Sequence, residues 1–124
     1  MTIQKTIPEF LQDLYDKIST VEIKTIDMDY VISDDDNGKL LSVNDVCRVI
    51  TIPEEENIPI GTKIEIENSS SRTVALETER RVTLQFPSKY QPTILQFGRV
   101  TLLKKANNTW IASGNFEDTS LIWG

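Results

Sequence analysis

From Thr20 onward, apolar side chains recur at every second position. That is the periodicity of a strand with one buried face, not of a helix. Lys63-Ile64-Glu65-Ile66-Glu67 is the plainest case, with isoleucines on one face and charges on the other. The stretch Val100 to Phe116 adds a closing hairpin. Two apolar arms flank Ala106-Asn107-Asn108, and asparagine tolerates the left-handed backbone that a tight turn needs. Val100 and Leu102 share a face opposite Leu103, while Trp110 and Ala112 share a face opposite Ile111. Trp110 is large enough to anchor a small core.

The same alternation predicts strands along most of the chain. Val21, Ile23 and Thr25 alternate with Glu22 and Lys24; Ile26, Met28, Tyr30 and Ile32 then take up the pattern in a shifted phase, which predicts a bulge or a short break at Thr25-Ile26. Ser33 to Gly38 carries three acids and a glycine and reads as a solvated turn. Lys39 to Val43 is the next strand. Val46, Ile50 and Ile52 then line one face and Cys47 and Val49 the other, until Pro53 ends the run. Val74 and Leu76 lead a further strand, Val82, Leu84 and Phe86 another, and Thr93 to Phe97 another. About nine short strands, with turn signals every 8–12 residues or so, predict an all-β domain: an antiparallel β-sandwich or a small barrel.

One short N-terminal α-helix is expected ahead of it. Thr6 and Glu9 form a capping box around Pro8, and Ile7, Leu11, Leu14 and Ile18 recur at helical spacing, widened by Phe10. A helix of about three turns is not stable alone in water. Its stripe must pack either on its own sheet or, as a short heptad-like seam, on a neighbouring subunit. Leu121, Ile122 and Trp123 are strongly apolar for a chain end and are expected to dock. The chain thus divides into a helical assembly segment (1–19), a β domain (20–116) and an apolar tail (117–124). Ile7, Phe10, Leu11, Leu14, Ile18, Leu121, Ile122 and Trp123 are the expected subunit-interface residues.

The 124 residues suit one domain able to bury its own core. A net charge of −6 disfavours nucleic acid and anionic membranes as partners, since phosphate binding calls for a basic stripe. No apolar run reaches the ~18–20 residues of a membrane span. The start MTIQKTIPEF lacks the layout of a secretory signal, so synthesis in a cytoplasm is expected. Cys47 is the single cysteine and lies in an apolar run, where a reduced, buried thiol is expected.

No reactive constellation stands out. The chain has no histidine, so acid–base chemistry would fall on carboxylates, lysines or tyrosines. A glycosidase-like pair drawn from Asp27, Asp29, Asp45 or Glu77 would be an arbitrary choice among 19 acids. Asp34-Asp35-Asp36-Asn37-Gly38 suggests calcium, but counting from Ser33 puts Asn44 where an EF-hand needs glutamate. Glycines are scattered, so no loop cradles phosphate. Asn68-Ser69-Ser70 and Asn107-Asn108-Thr109 match the glycosylation sequon, which matters only in a secreted chain. Trp110, Tyr30, Tyr90 and Phe97 could form a sugar platform, although aromatics in alternating strands are more often core. The expectation is a non-enzyme without cofactor or metal.

The order Tyr30–Asp34, Asn37–Asn44, Val49–Pro53, Ile60–Ile66, Val100–Lys104 and Asn108–Gly114 resembles a small β module of tailed-bacteriophage structural proteins. That module carries a similar succession of "D-x-G-K", "V-T-I-P", "G-T-x-I" and "N-T-W-x-x-x-G" elements and often closes tail-fibre, spike or other virion proteins. The likeness covers about residues 26–116. It departs from the module in its longer acid run and in having few glycines from Thr73 to Tyr90. It implies a structural or adhesive role in a virion, contact with other capsid or tail proteins, and assembly as a homotrimer. A copy behind only a short helical segment looks more like a capsid decoration or cement protein, a head fibre or a tail piece than a long fibre. The alternative is a carbohydrate-binding module for a host surface glycan.

Overall fold

Among the described residues, eleven strands build two sheets: β1 (Ile23–Ile26), β2 (Tyr30–Val31), β3 (Leu40–Val43), β4 (Val49–Ile52), β5 (Lys63–Asn68), β6 (Val74–Thr78), β7 (Thr83–Gln85), β8 (Tyr90–Ile94), β9 (Arg99–Ala106), β10 (Thr109–Gly114) and β11 (Phe116–Asp118). The structure, a computed structural model, describes residues 21–87 and 90–118. The expected helix, its stripe Ile7, Phe10, Leu11, Leu14 and Ile18, and the tail residues Leu121, Ile122 and Trp123 lie outside the described residues.

One sheet runs β1-β3-β5-β9-β10-β7 and the other β11-β8-β6-β4-β2. Both are open, with β1 and β7 at the edges of the first and β11 and β2 at the edges of the second, so the domain is a sandwich and not a barrel. Through β6 the chain winds from one sheet to the other and back. Each return lies parallel to the strand before it: Ile23 stands beside Leu40 and Leu40 beside Glu65, while Tyr30 stands beside Ile50 and Ile50 beside Leu76. After β6 the chain reverses. β8 runs antiparallel to β6, β9 antiparallel to β5, and β10 folds back on β9 through the expected Asn107-Asn108 turn, with Asn108 at φ 57°.

The expectation of an antiparallel sandwich is therefore corrected: the first half is a stack of parallel coils. A parallel connection needs a crossover of about a dozen residues. Here the crossover is a strand of the opposing sheet, not a helix. The turns at its ends are as short and polar as hairpin turns, and strand periodicity is the same for both topologies.

The inner faces meet in one core. Ile64, Ile66, Leu41, Val43, Val100, Leu102, Trp110 and Ala112 come from the first sheet; Ile50, Ile52, Val74, Leu76, Ile94 and Phe116 come from the second. Trp110 is buried, as its place in the hairpin predicts. Most of this core is isoleucine and valine, whose branched side chains suit a pleated surface. Of the bulge or short break expected at Thr25-Ile26, the bulge does not form, because β1 keeps one register through both residues; the strand ends at Ile26 and resumes at Tyr30 in the other sheet. Instead Lys24 and Ile26 turn inward while Val21 and Ile23 are exposed, and Met28 and Val46 are exposed in the crossings. Cys47 is fully buried.

Gly114, where β10 meets β11, sits at φ +135°, and a Cβ there would stand 2.1 Å from the Arg99 carbonyl oxygen. Gly38 is also left-handed, at φ +79°, but has nothing within 4 Å of its absent Cβ. Gly114→Ala should therefore lower the unfolding free energy by about 2–4 kcal/mol, against about 1 kcal/mol for Gly38→Ala, both read from urea denaturation. Equal losses at the two positions would contradict the close approach of the β9 and β10 backbones.

Candidate functional site

Each crossing between sheets takes backbone N–H groups out of the strand ladder, and a buried or half-buried N–H needs another acceptor. Short polar side chains of adjoining coils supply it. Asp29, between β1 and β2, accepts from the N–H groups of Arg48 (2.8 Å) and Val49 (3.2 Å) one coil on. Asp45, between β3 and β4, accepts from Ser71 N–H, and the Arg72 guanidinium donates to the Asp45 carbonyl. Asn68, at the end of β5, is fully buried. Its amide nitrogen faces the carbonyls of Arg72 (2.7 Å), Ile94 (3.1 Å) and Leu95 (3.2 Å), and its oxygen accepts from Ser70 N–H and hydroxyl. At the opposite end of the strands, Asn37 accepts from Lys63 N–H (3.1 Å), and buried Lys104 donates to the carbonyls of Glu55 (3.1 Å) and Ile58 (2.7 Å).

Two of the four carboxylates considered for catalysis, Asp29 and Asp45, thus hold backbone, while Asp27 and Glu77 are exposed. Asp36 corrects the expectation of a fully solvated acid turn. Asp34 and Asp35 face water, but Asp36 is completely buried at the end of the short 3-10 turn Asp34–Asp36. Its carboxylate accepts from Tyr30 hydroxyl (2.8 and 2.9 Å) and Ser33 N–H (2.9 Å), and Lys24 donates to Tyr30 at 2.6 Å. Burial pushes the Tyr30 phenol up, and the hydrogen bond to Tyr30 raises Lys24. A phenol held protonated and an ammonium held charged are not poised for proton transfer near neutral pH. Their role is closure: Lys24 and Tyr30 lie on the two edge strands β1 and β2, and an inward charge there also discourages unwanted edge pairing. At the other side of the sandwich Phe86 and Phe116 close the gap with ring centroids 5.8 Å apart.

Among the described residues no group of three or more Asp, Glu or Cys is arranged to hold a metal ion, and no helix is long and apolar enough to cross a membrane. Burial pushes the Cys47 thiol up, away from thiolate reactivity. The four aromatics do not share a platform: Trp110 is in the core, Tyr30 is in the closure cluster, and the Tyr90 side chain lies outside the described residues. Phe97 stands apart, 76% exposed.

Phe97 was expected in a strand and instead tips the turn between β8 and β9. Its φ is +59°, a left-handed conformation that bulky residues rarely adopt. The turn has no freedom to relax. Phe97 N–H donates to Asn68 carbonyl (2.7 Å), Gly98 N–H to Leu95 carbonyl (2.8 Å), and Asn68 N–H to Gly98 carbonyl (2.9 Å). At the opposite end of the strands, Val31, Ile32, Ser33, Asp34, Pro53, Glu55 and Asn57 line an open cleft of about 490 Å³. Among the described residues these are two surface features a partner could use, beside a smaller hollow lined by Val21, Gly38, Lys39, Lys63 and Glu65. Inward Asn68 and Lys104 each extend a strand's alternation by one step; Phe97 stands out only as one of four aromatics, and nothing in the sequence marks its left-handed turn.

Comparison with known protein families, curated proteins and solved structures gives no match for this chain.

The network carries its own pH signature. The Ser71 backbone N–H, then the Ser71 side chain, and Arg72 nearby hold the Asp45 carboxyl below its ordinary value. A depressed folded-state pKa contributes stability above the unfolded value of about 3.9, lost as pH falls through the folded pKa. Asp45→Asn should therefore be less stable than the wild type at pH 7, and the gap should close as the pH drops below about 3. Urea midpoints measured across that range check it.

Proposed function

We propose that the chain is a bacteriophage virion structural protein: a capsid decoration or cement protein, a head fibre or a tail component. It works by contact between subunits, as a homotrimer, and carries no catalytic duty. The observation that carries this proposal is where the polar side chains point. Asp29, Asp36, Asp45, Asn68 and Lys104 hold the protein's own backbone or close its own sandwich. Among the exposed side chains are several large apolar ones: Val21, Ile23, Met28, Val31, Val46 and Phe97. Exposed apolar side chains on a rigid scaffold suit docking.

The resemblance supports the same assignment. Asp36-Asn37-Gly38-Lys39 leads into β3, Val49 to Pro53 is β4 with its stop, Gly61 to Ile64 leads into β5, and Asn108-Thr109-Trp110 opens β10. The elements shared with the phage module are those that start or stop core strands. A sugar-binding role would use aromatics that are instead divided between the core, the closure cluster and one isolated turn.

A quantitative mass-spectrometric census of purified virions from the host that carries this gene is the test. The protein should appear at a fixed ratio to a major capsid or tail protein and crosslink to it. Its absence from washed particles, or turnover of any substrate by the purified chain, would overturn the proposal.

A further inference from the structure

The first sheet has an outer face, and strand register fixes which side chains stand on it. Ile23, Leu40, Glu65 and Thr101 form one row across β1, β3, β5 and β9. The neighbouring row holds Gly38, whose N–H donates to the Lys63 carbonyl (2.7 Å), then Lys63 itself and Leu103. With no side chain at Gly38, and nothing within 4 Å of where a Cβ would stand, a hollow of about 140 Å³ opens between Val21, Lys39, Lys63 and Glu65. Val21 and Ile23 beside it are exposed. Leu40 faces the same way, since Leu41 and Val43 turn into the core. It is 8% exposed, yet among the described residues it is the one buried apolar side chain outside the core cluster, so its burial is not owed to packing between the sheets. The charges around the hollow are matched within the sheet, Lys39 with Glu22 (2.8 Å) and Glu65 with Arg99. Lys63 forms no ion pair among the described residues, and its long stem can lie along an apolar cover with the ammonium in water. An apolar cover here therefore strands no carboxylate.

We propose that residues 7–18 of the same chain form the helix their spacing predicts and lie over this face, with Ile18 in the hollow above Gly38 and Leu14 above Ile23 and Leu40. Where that segment joins the described structure decides the occupant. It enters at Val21, which itself lines the hollow. Ile18 is three positions earlier, so its Cα lies within about 11 Å of that of Val21. A tether this short holds the stripe at an effective concentration of about millimolar, which a neighbouring subunit would have to outcompete. The dimensions agree. Pro8 to Ile18 makes about 16 Å of helix about 10 Å wide, and β1 to β5 spans two strand spacings, also about 10 Å. Of the two places open to the stripe, its own sheet is the nearer and the better fitted. This contact goes beyond the virion reading and does not depend on it. It takes Ile7, Leu11, Leu14 and Ile18 out of the expected subunit interface and leaves Met28, Val31, Val46 and Phe97 to face partners.

Cysteine labelling of the full chain tests it. Ile23 and Met28 are 64% and 62% exposed, so without a cover cysteines at the two positions would react alike with a maleimide. Ile23→Cys should instead react about tenfold more slowly than Met28→Cys, which corresponds to a docked population of about ten to one. Adding Leu11→Asp and Leu14→Asp should bring the two rates together. Cys47 is buried, so its labelling reports any loss of the fold. A chain carrying Leu14→Cys and Ile23→Cys, otherwise native, should be crosslinked within itself by a short bismaleimide and keep the mass of one chain. If the aspartates unfold the domain and Cys47 reacts, that crosslink decides. Equal rates at positions 23 and 28 without the aspartates would overturn the docking. So would a slow Ile23→Cys that the aspartates fail to release while Cys47 stays unlabelled. A crosslink that forms only between chains would give the face to a neighbour's segment, and no crosslink would leave it bare; either result overturns the contact, while the census of virions answers separately for the virion role.

Discussion

Carrying a chain back and forth between two sheets interrupts the backbone ladder at every crossing, and the N–H groups left there must find oxygen elsewhere. In this domain Asp29 and Asp45 meet that demand, each accepting from backbone N–H one coil on, while Asn68 accepts from the nearby Ser70 N–H and donates its amide to the carbonyls of Ile94 and Leu95. The coils are thereby tied at their ends as well as along their strands. Losing the buried Asn68 tie would leave polar groups unpaired, at a cost of about 1–3 kcal/mol each, whereas the ties of Asp29 and Asp45 are exposed to water. Asn68 is the most heavily committed, since it also shapes the turn that displays Phe97.

The same constraint occupies several of the groups that acid–base chemistry would use. A general acid or base needs a carboxyl or amine with free valence and an accessible face. The acids best placed by burial and geometry are already hydrogen bonded to their own backbone or to Tyr30. Lys104, buried beneath the β4–β5 loop, is held by two carbonyls. Exposed acids such as Asp34, Asp35 and Glu77 stand in water.

Much of the fold was legible in the sequence for a physical reason: alternation records which face is buried. It placed Ile64, Ile66, Val100, Leu102, Trp110 and Ala112 correctly and found the Asn107-Asn108 turn. What alternation does not record is which sheet the next strand joins, so parallel coils passed for hairpins. It also misleads at a sheet edge. Val21 and Ile23 read as core, yet β1 is the outermost strand of its sheet, and Lys24 faces inward to meet Tyr30 and Asp36. Of the surface features, the cleft is assembled from residues of two loops and leaves no local mark. Phe97 sits in a turn whose shape is dictated by Asn68, 29 positions away in the chain by simple subtraction of their numbers.

Backbone held by side chains is the claim on which the rest stands, and amide hydrogen exchange addresses it residue by residue. The amides of Arg48, Lys63 and Ser71, all at crossings or strand starts, should exchange slowly, on the scale of the interior strands β3 and β5, because each is bonded to Asp29, Asn37 or Asp45. Exchange of these three at the rate of free loop amides, in a protein whose β5 amides remain protected, would contradict the account.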